Sequence, residues 1–243
     1  PLTAIAFFML TGELMTSATI TDRLVALSRA LIGRIRGGLA QVNVLVSMFF
    51  AGMNGSVVAD TATVGALVLP AMKKAGYPAA FSAAVTGVSS KIEGIIPPSI
   101  MMIVLANSTE ISIAALFAAG IIPGVLIGIV IMIINHYFAI KYNFERSEEP
   151  FSIRRAGKEL YRSSFALLIP LVLVGSVMGG VASVVEAGAI TAMVALFTGV
   201  FVYRTIKWKD CTGAFRRAFR NSAMVFIIIA ASGPFSWLLT SLG

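Results

Sequence analysis

Residues 93–99 read Glu93-Gly94-Ile95-Ile96-Pro97-Pro98-Ser99, inside an apolar stretch that covers residues 77–106. Two consecutive prolines remove two backbone donors and free carbonyls one turn earlier. Gly94 lets the backbone open at the same place. A second interruption lies upstream, at Met53-Asn54-Gly55-Ser56, between two apolar arms over residues 39–52 and 57–72. Each arm is short for a full membrane crossing, which takes about 20 apolar residues. In a bilayer such irregular backbone survives only where it is buried in protein or lines a cavity. These two breaks decide what kind of fold the chain has.

Composition sets the frame around them. Of 243 residues, 58% are hydrophobic and 12% charged, about half the charge of a soluble domain. That leaves too few charges for a polar surface, and it excludes a disordered chain, a disulfide-stapled domain and an ordinary soluble enzyme. Cys211 is the single cysteine and His136 the single histidine, so an internal disulfide is impossible and a His-based metal site or triad is unsupported. The net charge of +8 reads as cytoplasmic loops of a membrane protein rather than as a nucleic-acid footprint. The fold class is all-α and polytopic.

Pro1 opens the chain, and residues 2–15 are already apolar with no charged start or cleavage site. They are expected to be the tail of a spanning helix, not a signal peptide, in an internal fragment of a longer protein. Residues 20–36 follow as an amphipathic arm, with Leu24, Leu27, Leu31 and Ile35 on one face. Residues 113–140, 165–181, 186–203 and 223–239 are further spans, and residues 204–220 a second basic amphipathic stretch. Four segments, 23–36, 73–74, 141–162 and 204–220, hold 18 of the 19 basic residues, and all four are expected in the cytoplasm. Residues 39–72 then begin and end on the cytoplasmic side, which predicts a re-entrant helical hairpin with its tip inside the membrane. The first segment runs inward and the last runs outward. This is the pattern of inverted repeats in secondary transporters: residues 1–140 end a first repeat, 141–162 form a cytoplasmic loop, and 163–243 start a second, incomplete repeat. The bases of 20–36 and 204–220 surround apolar stripes, so these stretches are expected to lie in the interface or join rigid bodies, with no nucleic-acid partner.

The freed carbonyls at 93–98, the hydroxyls of Ser56, Ser89, Ser90 and Ser99 and the amide of Asn54 make an oxygen-rich, nearly neutral set. It suits a hard monovalent cation, with Na⁺ the natural candidate; a proline kink and polar turn that only pack fit the same residues. Asp60 is an intramembrane carboxylate, costly against lipid. It reads as a cation ligand, a group behind the ligands, a protonatable group, or a helix cap. Glu93 is either a side-chain ligand or a partner of Lys91. Glu186 heads a helix, where the macrodipole explains it. Glu13 and His136 read as interfacial, and Trp208 and Trp237 as belt residues. Gly33-Arg34-Ile35-Arg36-Gly37-Gly38 lacks the ending and the preceding strand of a phosphate loop.

At these residues the chain resembles the large membrane subunit of the tripartite ATP-independent periplasmic (TRAP) transporters, the DctM/SiaM type. The resemblance is carried by Arg34-Ile35-Arg36-Gly37-Gly38-Leu39-Ala40, by Phe50-Ala51-Gly52-Met53-Asn54-Gly55-Ser56-Val57-Val58-Ala59-Asp60, and by Leu69-Pro70-Ala71-Met72-Lys73-Lys74. Ser89-Ser90 through Ile95-Ile96-Pro97-Pro98-Ser99, and Ala115-Leu116-Phe117 with Gly120-Ile121-Ile122-Pro123-Gly124, also fit. The resemblance implies an elevator-type importer in the bacterial inner membrane that couples organic-acid uptake to Na⁺, without ATP. It implies two partners, a periplasmic solute-binding protein and a small four-helix membrane subunit. Carried over by position, Asn54, Ser56, Glu93, Ile96 and Pro98 ring one Na⁺, the last three through backbone carbonyls, with Asp60 behind the site and Ser89, Ser90 and Ser99 near substrate. Three positions depart from the family pattern: Asn54 stands for a usual Ser, Glu93-Gly94 for Gly-Pro, and Val184-Val185-Glu186-Ala187 for Pro-Thr-Glu-Ala. Three other readings stand beside this one: a lone sodium/dicarboxylate-type elevator transporter, a polytopic membrane enzyme and a purely structural membrane scaffold. The enzyme would need an acidic, His or nucleophile cluster at the interface, and a scaffold would not need polar broken helices.

Overall fold

The computed structural model describes residues 2–144 and 151–242, with all their side chains except those of Asn54, Ser236, Leu239 and Thr240. Ten α-helices account for most of the described residues, and none of these residues forms a strand. Among the described residues four helical segments are long and apolar enough to cross a membrane: Ile113–Lys141, Ile153–Met178, Val184–Val202 and Trp208–Phe235.

Helix α1 (Thr3–Ser17) turns by 73° into α2 (Ile20–Ile32). The bend falls at Thr19, which has a positive φ of 53°. Amphipathicity places α2: Ile20, Leu24 and Leu27 are fully buried. The expected apolar face stops there, since Leu31 and Ile35 are 41% and 40% exposed. The helix ends at Ile32 because Gly33 takes a positive φ of 59°, so Ile35 never joins that face.

Helices α3 (Gly38–Asn54) and α4 (Val57–Lys74) form a tight antiparallel pair. At 1.5 Å per residue each is about 25–27 Å long, short of the roughly 30 Å hydrocarbon core. Helix α5 (Ala79–Ser89), a 3₁₀ turn (Ser90–Gly94) and α6 (Ile100–Thr109) are the pieces of the interrupted helix. Helix α7 (Ile113–Lys141) lies alongside it. Helices α8 (Ile153–Met178), α9 (Val184–Phe197, extended by a π-turn to Val202) and α10 (Trp208–Leu242) complete the chain. The sequence suggested an amphipathic stretch followed by a separate span at the end. The structure runs both together as α10, since nothing between Arg220 and Ala223 breaks a helix.

Helix α3 is the centre of the packing. One side carries Val42, Val46 and Ala40 into a core shared with α4, α5 and α7. Its far end carries Phe50 and Met53 into a second core with Leu14, Met15, Ala166 and Ile169 of α1 and α8. A third core joins Ile5, Phe8, Ile103 and Phe117 to the outer ends of α8, α9 and α10. The side chains left outside are apolar as well: Ile122, Leu126, Ile133 and Tyr137 of α7 are all exposed, as a lipid-facing surface requires.

One glycine is indispensable to this arrangement. Gly55 adopts φ 64° between α3 and α4, and a Cβ there would lie 2.6 Å from the Pro98 carbonyl oxygen. Gly76, at φ 78°, has open space around it. Gly55→Ala therefore meets both backbone strain and a clash with fixed backbone, while Gly76→Ala meets strain alone, about 1–2 kcal/mol. Thermal unfolding of the full-length protein in detergent should show the larger loss for Gly55→Ala; equal losses would mean the tip does not press on residue 98.

Candidate functional site

The hairpin tip and the broken helix meet. Ile100 N–H, the donor that a continuous helix would give to the Ile96 carbonyl, is instead given to the Gly55 carbonyl, 3.4 Å away. Pro97 and Pro98 stand where the donors to the carbonyls of Glu93 and Gly94 would be. Ser99 Oγ donates to the Gly94 carbonyl at 2.8 Å. Ile92 accepts both Ile95 and Ile96 N–H. The carbonyls of Glu93, Ile96 and Pro98 are thus left without a backbone donor among the described residues. Of the three, the Pro98 carbonyl is the one set directly against the Gly55 turn. On the far side, Gly120 and Gly124 of α7 let the Ile95 carbonyl and the Ile96 side chain approach closely.

Two helices start at this point. Ser56 caps α4 by accepting from Ala59 N–H, and Ser99 caps α6 by accepting from Met102 N–H, each at 3.4 Å. Two other elements, α3 and the 3₁₀ turn, end here. Helix starts favour anions and helix ends favour cations, so four opposed ends make a junction prepared for ions of both signs. Asn54 closes α3; its side chain lies outside the described residues.

Behind the junction is a buried polar chamber. Asp60, in the first turn of α4, and Glu93, in the 3₁₀ turn, are both 0% exposed. They are electrostatic neighbours. Ser47 and Ser90 flank Asp60, and the Ser56 N–H faces Glu93. No carboxylate oxygen of either residue completes a hydrogen bond among the described residues. The reason is visible in the hydroxyls: Ser90 donates to the Thr86 carbonyl at 2.8 Å and Ser47 to Ser89 Oγ at 3.4 Å. The chamber continues toward the base of the hairpin through Ser89, which donates to Asn43 Oδ1 at 3.3 Å, and Asn43, which donates to Thr86 Oγ1 at 2.7 Å. Lys91 is exposed, and no ion pair joins it to Glu93 among the described residues.

The sequence-named residues therefore come together. Ser56, Pro98 and Ser99 meet at the junction, Asp60, Glu93, Ser89 and Ser90 line the chamber behind it, and the Ile96 side chain packs toward Gly124 on the far side. Glu186 sits apart, in a reciprocal cap with Ser183: Glu186 Oε2 accepts from Ser183 N–H at 2.8 Å, and Ser183 Oγ accepts from Glu186 N–H at 3.3 Å. The spacing Ser183-x-x-Glu186 is the sequence signal for it.

Sequence reasoning missed a polar cluster beside the tip. A cavity of about 560 Å³ is bounded by Ser56 and Thr63 of α4, Thr16 and Glu13 of α1, and Arg217 and Asn221 of α10. On its rim Glu13 accepts from Arg217 Nε at 2.6 Å and from Asn221 Nδ2 at 3.0 Å, and Arg217 also donates to Ser17 Oγ at 3.0 Å. Glu13 is thus tied to α10 rather than only resting at an interface. No local pattern links residues more than 200 positions apart.

The model of the family described as "Tripartite ATP-independent periplasmic transporter, DctM component" matches residues 1–243. The chain is 34% identical to the "C4-dicarboxylate TRAP transporter large permease protein DctM" of Pseudomonas aeruginosa, over 99% of this chain and 56% of that protein. It is 33% identical to the "Sialic acid TRAP transporter large permease protein SiaM" of Vibrio cholerae, over 98% of this chain and 56% of that protein. It is 34% identical to the "2,3-diketo-L-gulonate TRAP transporter large permease protein YiaN" of Escherichia coli, again over 98% and 56%. The chain thus spans a little over half the length of these curated relatives.

The chamber is a connected network, so removing its central amide should be costly. Asn43→Leu leaves Thr86 Oγ1 without its donor and takes from Ser89 one of its two acceptors, the other being the Thr86 carbonyl at 3.1 Å, a loss of about 1–3 kcal/mol. Chemical denaturation of the full-length protein in detergent checks this; a change within a few tenths of a kcal/mol would mean that water replaces the amide.

Proposed function

We propose, on the premise that this chain belongs to the DctM-component family of the tripartite ATP-independent periplasmic transporters, that it carries one cation site of a Na⁺-coupled organic-acid importer. The family is one of transporter permeases, not of enzymes, and the chain is part of a multi-pass protein of the bacterial inner membrane. That excludes the lipid-enzyme reading. In the proposed assembly a periplasmic solute-binding protein delivers the organic acid and a small membrane subunit braces this one. The helical pair 39–72 is a re-entrant hairpin of an elevator-type transport domain, within inverted repeats.

A single observation carries the cation reading: the break that frees the carbonyls of Glu93, Ile96 and Pro98 meets the hairpin tip next to Ser56, backed by a buried Asp60 carboxylate that no side chain neutralises among the described residues. Ser56, those carbonyls and Asn54 are the proposed Na⁺ ligands. Asp60 supplies negative charge from behind. A monovalent cation in a low dielectric needs such a charge nearby. The named relatives handle C4-dicarboxylates, sialic acid and 2,3-diketo-L-gulonate, and the substrate proposed here is likewise a carboxylate. The start of α4 opens into the 560 Å³ cavity, where a helix N-terminus suits an anion. The resident cation would compensate the substrate's charge, so each ion assists the other.

Uptake by the full transporter, reconstituted with its partners and offered succinate, sialic acid and 2,3-diketo-L-gulonate, tests this. Asp60→Asn should abolish Na⁺-driven uptake while the protein still folds and assembles. Ser56→Ala should raise the Na⁺ needed for half-maximal uptake about 5–30-fold, the equivalent of one ligand of roughly 1–2 kcal/mol. Asn54→Ser should be mild. Undiminished uptake with the same Na⁺ dependence in both Asp60→Asn and Ser56→Ala would remove the junction from the mechanism. The hairpin has its own test. A cysteine at the exposed Val58 should be shielded from impermeant reagents on one side of the membrane or exposed alternately. One at Lys74 should label only from the cytoplasm. Steady periplasmic labelling of position 58 in every state would make α3 and α4 two full spans.

A further inference from the structure

The proposed junction places one cation, with one charge, among the Ser56 hydroxyl and three carbonyls. The chamber behind it holds two carboxylates, Asp60 and Glu93, both 0% exposed and near enough to repel each other. Their four oxygens complete no hydrogen bond among the described residues, and no Lys, Arg or His there pairs with either. A helix start contributes only about half a charge, so the start of α4 leaves a deficit near Asp60. Ser90 and Ser47 adjoin Asp60, and each hydroxyl is shared with another acceptor, the Thr86 carbonyl at 2.8 Å and Ser89 Oγ at 3.4 Å. Two buried carboxylates so placed repel each other unless something positive lies between them.

Resting on the Na⁺-coupled reading above, the geometry points to a second monovalent cation, distinct from the one at the junction, held between the carboxylates of Asp60 and Glu93 and completed by Ser47 Oγ and Ser90 Oγ. The donors are hard oxygens only, as an alkali cation prefers. Glu93 serves both ions: its carbonyl faces the junction and its carboxylate faces the chamber. The two cations are therefore coupled through one residue, and filling one position should favour the other by fixing the 3₁₀ turn.

The test counts ions, with Na⁺ alone as the probe. ²²Na⁺ binding to the purified full-length transporter with its membrane partner is measured to saturation in choline chloride. Glu93→Gln should lower the number bound by one. Ser47→Ala with Ser90→Ala should keep the number and weaken one class of binding about tenfold. An unchanged count and unchanged affinities in these variants overturn the second cation, and mean that a proton or water fills the chamber. ⁴⁵Ca²⁺ binding that Glu93→Gln abolishes, with Na⁺ stoichiometry unchanged, overturns it in favour of a divalent ion. Should Glu93→Gln fail to assemble, the serine pair decides alone. Ser56→Ala separates the two readings. If it leaves all Na⁺ binding intact, the junction site itself is wrong. If it weakens Na⁺ while Glu93→Gln removes none, only the second cation is.

Discussion

A hydrocarbon core offers no partner to a broken backbone, so every break in a membrane helix must be satisfied by the protein itself or by an ion. This chain breaks twice, at 53–56 and at 93–99, and the second is repaired partly by the first and partly by itself. Gly55 gives its carbonyl to Ile100 N–H, and Ser99 gives its hydroxyl to the Gly94 carbonyl. What the repair leaves over is specific: the carbonyls of Glu93, Ile96 and Pro98 have no backbone donor among the described residues. Nearly everything else in the fold serves to press the two breaks together. Helix α3 spans two cores so that its tip is held from both sides. Helix α7 presents glycines where the broken helix must come close.

The junction is costly to build. Two wholly buried carboxylates and a file of serines replace what could have been apolar packing, and such groups are retained when they act. If the proposed cation binds here it lowers that cost, and ion occupancy and the local fold are then linked, with the tip tighter with the ion than without it. This linkage is how a transporter can make substrate passage depend on the ion. The neighbouring Glu13–Arg217–Asn221 cluster ties α1 to α10 beside the same cavity, so it sets the wall against which the tip sits.

Much of this was legible in the chain because its signals are local. Two prolines, a Gly-Ser turn and four clusters of basic residues are short-range features, and they announced the all-helical membrane fold, both breaks and the residues around them. Long-range pairing was not legible. Glu13 and Arg217 meet only after α1 and α10 have packed, and the chain of contacts from Asn43 through Ser89 and Ser47 to Asp60 needs the register of α3 against α5. Some local signals were read too simply. A change from amphipathic to apolar residues after Arg220 suggested two segments, but hydrophobicity changes without a breaker do not end a helix. Ile35 extended the stripe of α2 on paper, whereas Gly33 ends the helix before it; Leu31 lies inside α2 but on its exposed side. Glu93 allowed a Lys91 partner two residues away, but residues two apart in a 3₁₀ turn point about 120° away from each other, one into the core and one outward.

The central claim is that the two breaks meet around a cation rather than merely against each other. The most direct test is a high-resolution structure of the full transporter with Tl⁺ in place of Na⁺, read for the heavy ion's density. The account predicts a peak at the meeting of Gly55, Ser56 and the carbonyls of Glu93, Ile96 and Pro98, and its loss in Asp60→Asn. A junction closed by direct packing, with no ion density there at saturating Tl⁺ and unchanged by Asp60→Asn, would contradict it.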